Sequence, residues 1–241
     1  MIYRERVKKA TLTIINDDCR NVEKMLYSVN NAIVVTDPPF NIGYHYRGYK
    51  DRMRESDYYG MLSSIIQNVP SIIIHYPEQL HRLTLESGIV PSEVVSWVYN
   101  SNTAKQHRDI GFYRVIPNFK AVLQPYKNPN DKRIIELVKN GKLGGRLYDW
   151  WNVNQVKNVS KAKTKHPCQM PLEIMKNIIG TLPQDAVIID PFMGSGTTAE
   201  ACIDLGYDFV GIEIDAEYFG ISRERISRRN EECERIEVLV T

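Results

Sequence analysis

Short runs of Ile and Val alternate along the chain with stretches whose apolar residues recur at three- and four-residue spacing. Leu12-Thr-Ile-Ile15, Ala32-Ile-Val-Val-Thr36 and Ser71-Ile-Ile-Ile-His75 are β-branched runs; the first two break off into acidic or proline residues, as buried parallel strands do at their carboxyl ends. Val94–Tyr99 and Phe119–Gln124 predict two further strands, of antiparallel type. Ala186–Asp190 and Asp208–Glu213 predict strands flanking a helix over Thr197–Leu205, so strand, glycine turn, helix and strand form one βαβ unit. Other helices are predicted over Tyr59–Asn68, Leu172–Thr181 and from Ala216 to about Glu234. The pattern predicts an α/β fold with a mostly parallel twisted sheet and helices on both faces.

Composition narrows the classes. At 241 residues, 43% hydrophobic and 25% charged, the chain can bury one sizeable core, which excludes a disordered protein. No apolar run approaches the roughly 18 residues that span a bilayer, so no membrane association is expected. The N-terminal stretch lacks the apolar core of a signal peptide, and a cytoplasmic location is expected. Cys19, Cys168, Cys202 and Cys233 form no CxxC pair, so free thiols and no metal site are expected.

The net charge of +2 hides a strong asymmetry. Residues 1–100 are balanced, residues 101–166 carry 14 Lys/Arg against 4 Asp/Glu, and residues 167–241 carry 6 against 14. The basic middle third is rich in Tyr, Trp, Asn and Gln, a combination suited to a phosphate backbone. Between about 127 and 165 the periodicity is poor and Gly141, Gly144 and Gly145 cluster, which predicts a small loop-rich insertion. Residues 1–100 and 166–241 are therefore assigned to one catalytic and cofactor-binding α/β domain. Residues 101–165 are assigned partly to the sheet edge and partly to a basic target-recognition insertion.

Two segments carry candidate chemistry. Asp190-Pro-Phe-Met-Gly194-Ser-Gly196-Thr-Thr-Ala199 places G-x-G-x-x-A after a strand and at the opening of a helix. Glycines there let a ligand approach the backbone, and the helix N-terminus offers unpaired N–H groups. Glu213, 17 residues beyond Gly196, ends the next strand, where a carboxylate can accept hydrogen bonds from ribose hydroxyls. A nucleoside cofactor is expected, with NAD still open on this motif alone. The second segment is Thr36-Asp37-Pro38-Pro39-Phe40. Two prolines remove two N–H donors and hold the chain extended, so Asp37 and the Pro38 carbonyl can form a rigid, acceptor-only site. Such a site suits an exocyclic amine, and Phe40 supplies a flat face for a base.

In this order, Asp37-Pro-Pro-Phe40 and Asp190-Pro-Phe-Met-Gly-Ser-Gly-Thr-Thr198 resemble the S-adenosylmethionine-dependent DNA amino-methyltransferases, in the permuted beta arrangement. Lys165-His-Pro-Cys-Gln-Met-Pro-Leu-Glu173 resembles that family's KHPTQKP-like segment, with Cys168 and Met170 as departures, and Asp17-Asp18-Cys19 resembles its Gly-Asp-Cys element. The resemblance implies a Rossmann-like methyltransferase fold and S-adenosyl-L-methionine as cofactor. It implies that Asp37, Pro38, Pro39 and Phe40 are catalytic. Asp190, Phe192, Gly194, Ser195, Gly196 and Thr197 would line the cofactor and Glu213 would hold its ribose, with Asp18 and Cys19 near its adenine and Lys165, His166 and Gln169 near its methionine end. The Asp form of the tetrapeptide resembles the adenine-N6 enzymes, with cytosine-N4 as the alternative.

A target amine inside a duplex is unreachable, so the base must be flipped out of double-stranded DNA. Asn41–Arg54 interleaves aromatic and basic residues with two glycines and reads as a mobile lid over that base. Asn152, Asn154 and Gln155 are candidate base readers, whereas Trp97, Trp150 and Trp151 read as core, and His75 and His81 as structural. A homodimer is the expectation by analogy, and the resemblance leaves room for a partner restriction endonuclease. The competing readings are a methylase-like DNA-binding protein without activity and an NAD-linked oxidoreductase.

Overall fold

The computed structural model describes residues 1–44, 51–156 and 163–240, with side chains to residue 230. In chain order they form β1 (Ile2–Val7), β2 (Ala10–Asn16), α1 (Cys19–Tyr27), β3 (Ala32–Thr36), α2 (Glu55–Asn68), β4 (Ser71–His75), α3 (Pro77–Ser87), β5 (Glu93–Val98), β6 (His107–Tyr113) and β7 (Leu123–Gln124). They continue with α4 (Lys132–Lys139), β8 (Gly145–Arg146), β9 (Trp150–Asn152), α5 (Leu172–Gly180), β10 (Val187–Asp190), α6 (Thr197–Leu205), β11 (Asp208–Glu213) and α7 (Ala216–Val240).

Nine strands make one sheet in the order β1-β2-β11-β10-β3-β4-β6-β5-β9. Its centre, from β2 to β4, is parallel, while β1 and β6 run antiparallel to their neighbours. Every residue of β3 and β4 is buried, which is why they read as unbroken apolar runs rather than as alternating ones. Along β3 the period of two still sorts side chains: Ile33 and Val35 face the core under α5, α6 and α7, whereas Ala32 and Val34 face the core under α1, α2 and α3. Helices thus cover both faces, giving the Rossmann-like architecture.

Sequence and structure differ in the middle third. Phe119–Gln124 is not a strand of the sheet; only Leu123–Gln124 pairs, with β8, in a separate two-stranded ribbon. β6 lies inside the sheet between β4 and β5, so the region after residue 100 contributes an interior strand, while β9 forms the edge. Its first three residues, His107, Arg108 and Asp109, are polar and hide the strand from a hydrophobic pattern, although Ile110 to Tyr113 are buried. The insertion also contains α4, capped by Asp131, whose side chain accepts from the N–H groups of Arg133 and Ile134. Of the three tryptophans, Trp97 and Trp151 are core and Trp150 is exposed. No helix among the described residues is long and apolar enough to cross a membrane.

The register of the central strands positions the site. Ile189 of β10 pairs with Val34 of β3 and with Val210 of β11, so the carboxyl ends of all three strands open on the same edge of the sheet. Below that edge α6 and α7 are joined by a buried ion pair between Glu200 and Arg225, whose side chains are 10% and 8% exposed. Removing one member of such a pair strands the other without compensation. Arg225→Met is expected to lower unfolding free energy by about 3–5 kcal/mol, measured by urea denaturation; a loss within error of zero would show that the pair contributes nothing.

Candidate active site

The chain leaves β3 at Thr36, whose hydroxyl donates to Asp190 Oδ1 at 2.7 Å. Asp37 follows, with a side chain 13% exposed, facing Arg108 of β6, whose Nη1 lies 3.2 Å from Oδ2 and 3.4 Å from Oδ1. Burial pushes the Asp37 carboxyl up to about 6; the Arg108 charge opposes that rise and Asp190 adds to it. Phe40 stacks on His75 with ring centroids 4.2 Å apart and 20° between planes, and meets Tyr76 edge-on at 5.0 Å. The Tyr76 N–H donates to His75 Nδ1 at 2.9 Å, which assigns the ring proton to Nε2 and makes it the donor to Tyr58 Oη at 2.8 Å. Burial drives the His75 pKa down to about 3, so Phe40 rests on a neutral imidazole, consistent with a structural His75.

The glycine turn between β10 and α6 is pinned from three sides. Gly194 has φ +55° and Gly196 φ +78°, a left-handed backbone that glycine adopts without strain. A Cβ on Gly194 would stand 3.0 Å from His166 Nε2, so the turn also needs a residue without a side chain there. The Gly194 N–H donates to Glu213 Oε2 at 2.8 Å, and the Gly194 carbonyl accepts from Ser222 Oγ at 2.7 Å. The Ser195 carbonyl accepts from Arg225 Nη1. Glu213 Oε1 takes the Asp215 N–H at 2.8 Å, and burial pushes the Glu213 carboxyl up to about 7. Asp190 joins the segments: besides Thr36 it accepts from Thr198 Oγ1 at 2.6 Å and from the Phe192 N–H at 3.1 Å.

Both segments line one cavity. Asp37, Pro38, Pro39 and Phe40 face it together with Asp18, Cys19, His166, Asp190, Phe192, Gly194, Ser195, Thr197 and Glu213. Asp18 caps α1 and pairs with Arg20, which holds its carboxyl below the usual range. Burial pushes the Cys19 thiol up to about 12, so it stays protonated. His166 is buried with its pKa lowered to about 4, edge-on to Tyr218 at 4.5 Å. An acceptor-bearing wall at Glu213, a glycine cradle and apolar faces from Phe192 and Met193 fit a nucleoside with a polar tail.

Three expected residues are placed differently. Lys165 is exposed and outside the cavity wall, and Lys163 instead ties the segment by donating to the Pro167 carbonyl at 2.8 Å. Gln169 braces the turn, its Oε1 accepting the Thr164 N–H at 2.7 Å, while Cys168 and Met170 line the cavity. Gly196 shapes the turn without lining it. Sequence reasoning missed Arg108, Asp215 and Tyr218 and gave Asp51 only as part of the lid segment; all four are on the cavity wall. Asp51, 2% exposed, accepts the N–H groups of Asn41, Ile42 and Tyr44 at 2.8, 3.2 and 3.0 Å and so closes the base of the expected lid. Residues 45–50 of that lid lie outside the described residues.

Of the candidate base readers, Asn152 is exposed and Asn154 Oδ1 accepts the Asn100 N–H at 3.2 Å. Lys127 Nζ sits 4.5 Å from the Tyr148 ring and 5.2 Å from Trp150, a basic and aromatic surface on the insertion. Among the described residues no group of three or more His, Cys, Asp or Glu could hold a metal ion.

Comparison with known proteins places this geometry. A family model described as DNA methylase matches residues 32–224. The chain is 26% identical to Type II methyltransferase M.BglII of Bacillus subtilis over 91% of its own length and 70% of the relative's. It is also 26% identical to DNA adenine methyltransferase YhdJ of Escherichia coli, over 89% and 82%. In fold it is similar to M1.HpyAVI in complex with S-adenosylmethionine, with TM-score 0.59 and 22% identity over 89% and 99% of the two chains. PvuII DNA methyltransferase, described as cytosine-N4-specific, gives TM-score 0.62 and 12% identity over 96% of each chain. With a family match that takes in both the tetrapeptide and the glycine turn, the chain belongs to the S-adenosylmethionine-dependent DNA amino-methyltransferases, which methylate an adenine or a cytosine base.

Proposed function

We propose that this protein methylates N6 of an adenine flipped out of double-stranded DNA. The observation that carries this reading is the juxtaposition of Asp37 and the Gly194 turn on one cavity wall, with Asp190 bonded to both flanking segments. S-adenosylmethionine, when bound, supplies a methyl group on positively charged sulfur; the amine lone pair makes the new N–C bond as the S–C pair returns to sulfur. Glu213 would hold the ribose, Asp18 and Cys19 the adenine end, and His166 the methionine end. The Asp37 carboxylate accepts one amine N–H, offsets the charge developing on nitrogen and takes the surplus proton. Positioning and electrostatics then carry the rate.

Adenine is favoured over cytosine on two grounds. A full carboxylate at the head of the tetrapeptide is the strong acceptor that adenine's weakly nucleophilic amine needs. The likeness to YhdJ, whose name specifies adenine, extends over most of both chains, whereas the likeness to the cytosine-N4 enzyme is one of fold. Flipping costs a few kcal/mol. The basic insertion, residues 101–165, would recover part of that through phosphate contacts, and Asn152, Asn154 and Gln155 are suited to adenine edges.

Three outcomes are expected. Incubation with unmethylated DNA and S-adenosylmethionine, followed by digestion and nucleoside mass analysis, should yield N6-methyladenine; N4-methylcytosine instead would reassign the base. Asp37→Ala should lower single-turnover transfer by about 10²–10⁴-fold while calorimetry finds cofactor affinity near wild type, and retained turnover would remove Asp37 from the chemistry. Because Asp37 must be ionised and burial pushes its carboxyl up to about 6, the single-turnover rate should be full above that pH and fall about tenfold per unit below it. A rate that is level down to pH 4 would contradict this role.

A further inference from the structure

Arg108 takes no part in the reading above, yet among the described residues it is the cation paired with the acceptor carboxylate. It sits on β6 directly across from Trp97 of β5, so strand register fixes where its side chain starts. Its guanidinium carbon lies 4.7 Å from the Phe40 ring centroid, 5.3 Å from Trp97 and 5.9 Å from Tyr76, and its side chain is 14% exposed. Three aromatic rings therefore hold a charge that no accessible pH removes.

The contact with Asp37 is loose. One nitrogen, Nη1, straddles both carboxylate oxygens at 3.2 and 3.4 Å, longer than the roughly 2.7–2.9 Å of a closed charge-assisted bond. An ionised carboxylate has about four lone-pair sites, so an incoming amine still finds an acceptor while the guanidinium stays in place.

We infer that Arg108 is a positioning residue for the methyl-transfer step: it holds Asp37 ionised and in one orientation while leaving the carboxylate lone pairs for the reacting amine. The inference rests on the reading of Asp37 as the amine's acceptor. The other charged or titratable groups near Asp37 are Asp190 at the end of β10, Tyr99 after β5, and His75 and Tyr76 behind Phe40. Asp190 is held by two threonine hydroxyls and raises the cost of a second negative charge, and His75 is neutral. Lys105 lies over the Tyr76 ring at 4.1 Å and acts on His75, but among the described residues Arg108 is the cation that acts on Asp37, and without it burial and Asp190 would drive Asp37 toward its protonated, non-accepting form.

The test is the Asp37 titration in the DNA-free enzyme, followed by carboxyl carbon NMR with the signal assigned against Asp37→Asn. Arg108→Met and Arg108→Gln should raise the midpoint by roughly 1–3 pH units, and Arg108→Lys should restore most of it. The acid limb of the single-turnover rate should move in parallel. If Arg108→Met does not fold, the Gln and Lys variants carry the comparison. A midpoint unchanged in the neutral variants overturns the inference, as does faster transfer at an unmoved limb, which would make Arg108 a plug in the base pocket. A wild-type enzyme that methylates no DNA would instead refute the function, and the NMR midpoint would still judge the Arg108–Asp37 coupling.

Discussion

Everything at the carboxyl edge of the sheet depends on one buried carboxylate. Asp190 ends β10, yet its oxygens accept from Thr36, which ends β3, and from Thr198, in the first turn of α6. Strand β3, the end of β10 and the start of α6 are thereby held at hydrogen-bond distance beyond the last paired residues of the β3–β10 ladder. Its cost is desolvation, and burial raises its carboxyl accordingly, with the two hydroxyls and the Phe192 N–H working against that rise. The result is a fixed relation between the tetrapeptide carboxylate and the glycine turn.

Around this hub, among the described residues, the cavity wall gathers several buried acids and only Arg20 and Arg108 as side-chain cations. Asp37 and Glu213 both rise well above ordinary carboxylates because burial disfavours their charged forms. Glu213 is held by two backbone N–H groups, whereas Asp37 faces a guanidinium at longer range. The contrast suits their work. In the proposed reaction, a carboxylate fixed by backbone donors would make a static wall, and one beside a loosely placed charge would keep lone pairs for an arriving amine. A cavity with this sign also suits a cofactor whose reactive sulfur is positive.

Most of the fold and the two principal segments were legible because each is local. A buried parallel strand shows as an unbroken β-branched run, and a turn that needs left-handed backbone shows as glycine, so β3, β10, β11 and α6 are visible without tertiary information. Arg108 was not, because its strand begins with three polar residues and its role arises only when β6 is inserted between β4 and β5. Lys165 and Gln169 were named from a segment resemblance, and the local bonding of residues 163–169 turned one outward and the other onto the Thr164 N–H. Phe119–Gln124 failed as a strand for the opposite reason: it has strand-like residues but no neighbour in the main sheet.

The clasp at Asp51 has an architectural consequence. Its carboxylate collects N–H groups from Asn41, Ile42 and Tyr44, and Asn41 in turn bonds the Met53 backbone in both directions, at 2.7 and 3.1 Å. Loop entry and exit are thus stapled together just beyond Phe40, and closing a somewhat longer loop costs little extra entropy. The course of the chain just beyond the tetrapeptide is therefore set by Asp51 and Asn41. A change in the number of residues between the staples would leave these bonds, and with them the placement of Phe40, as they are.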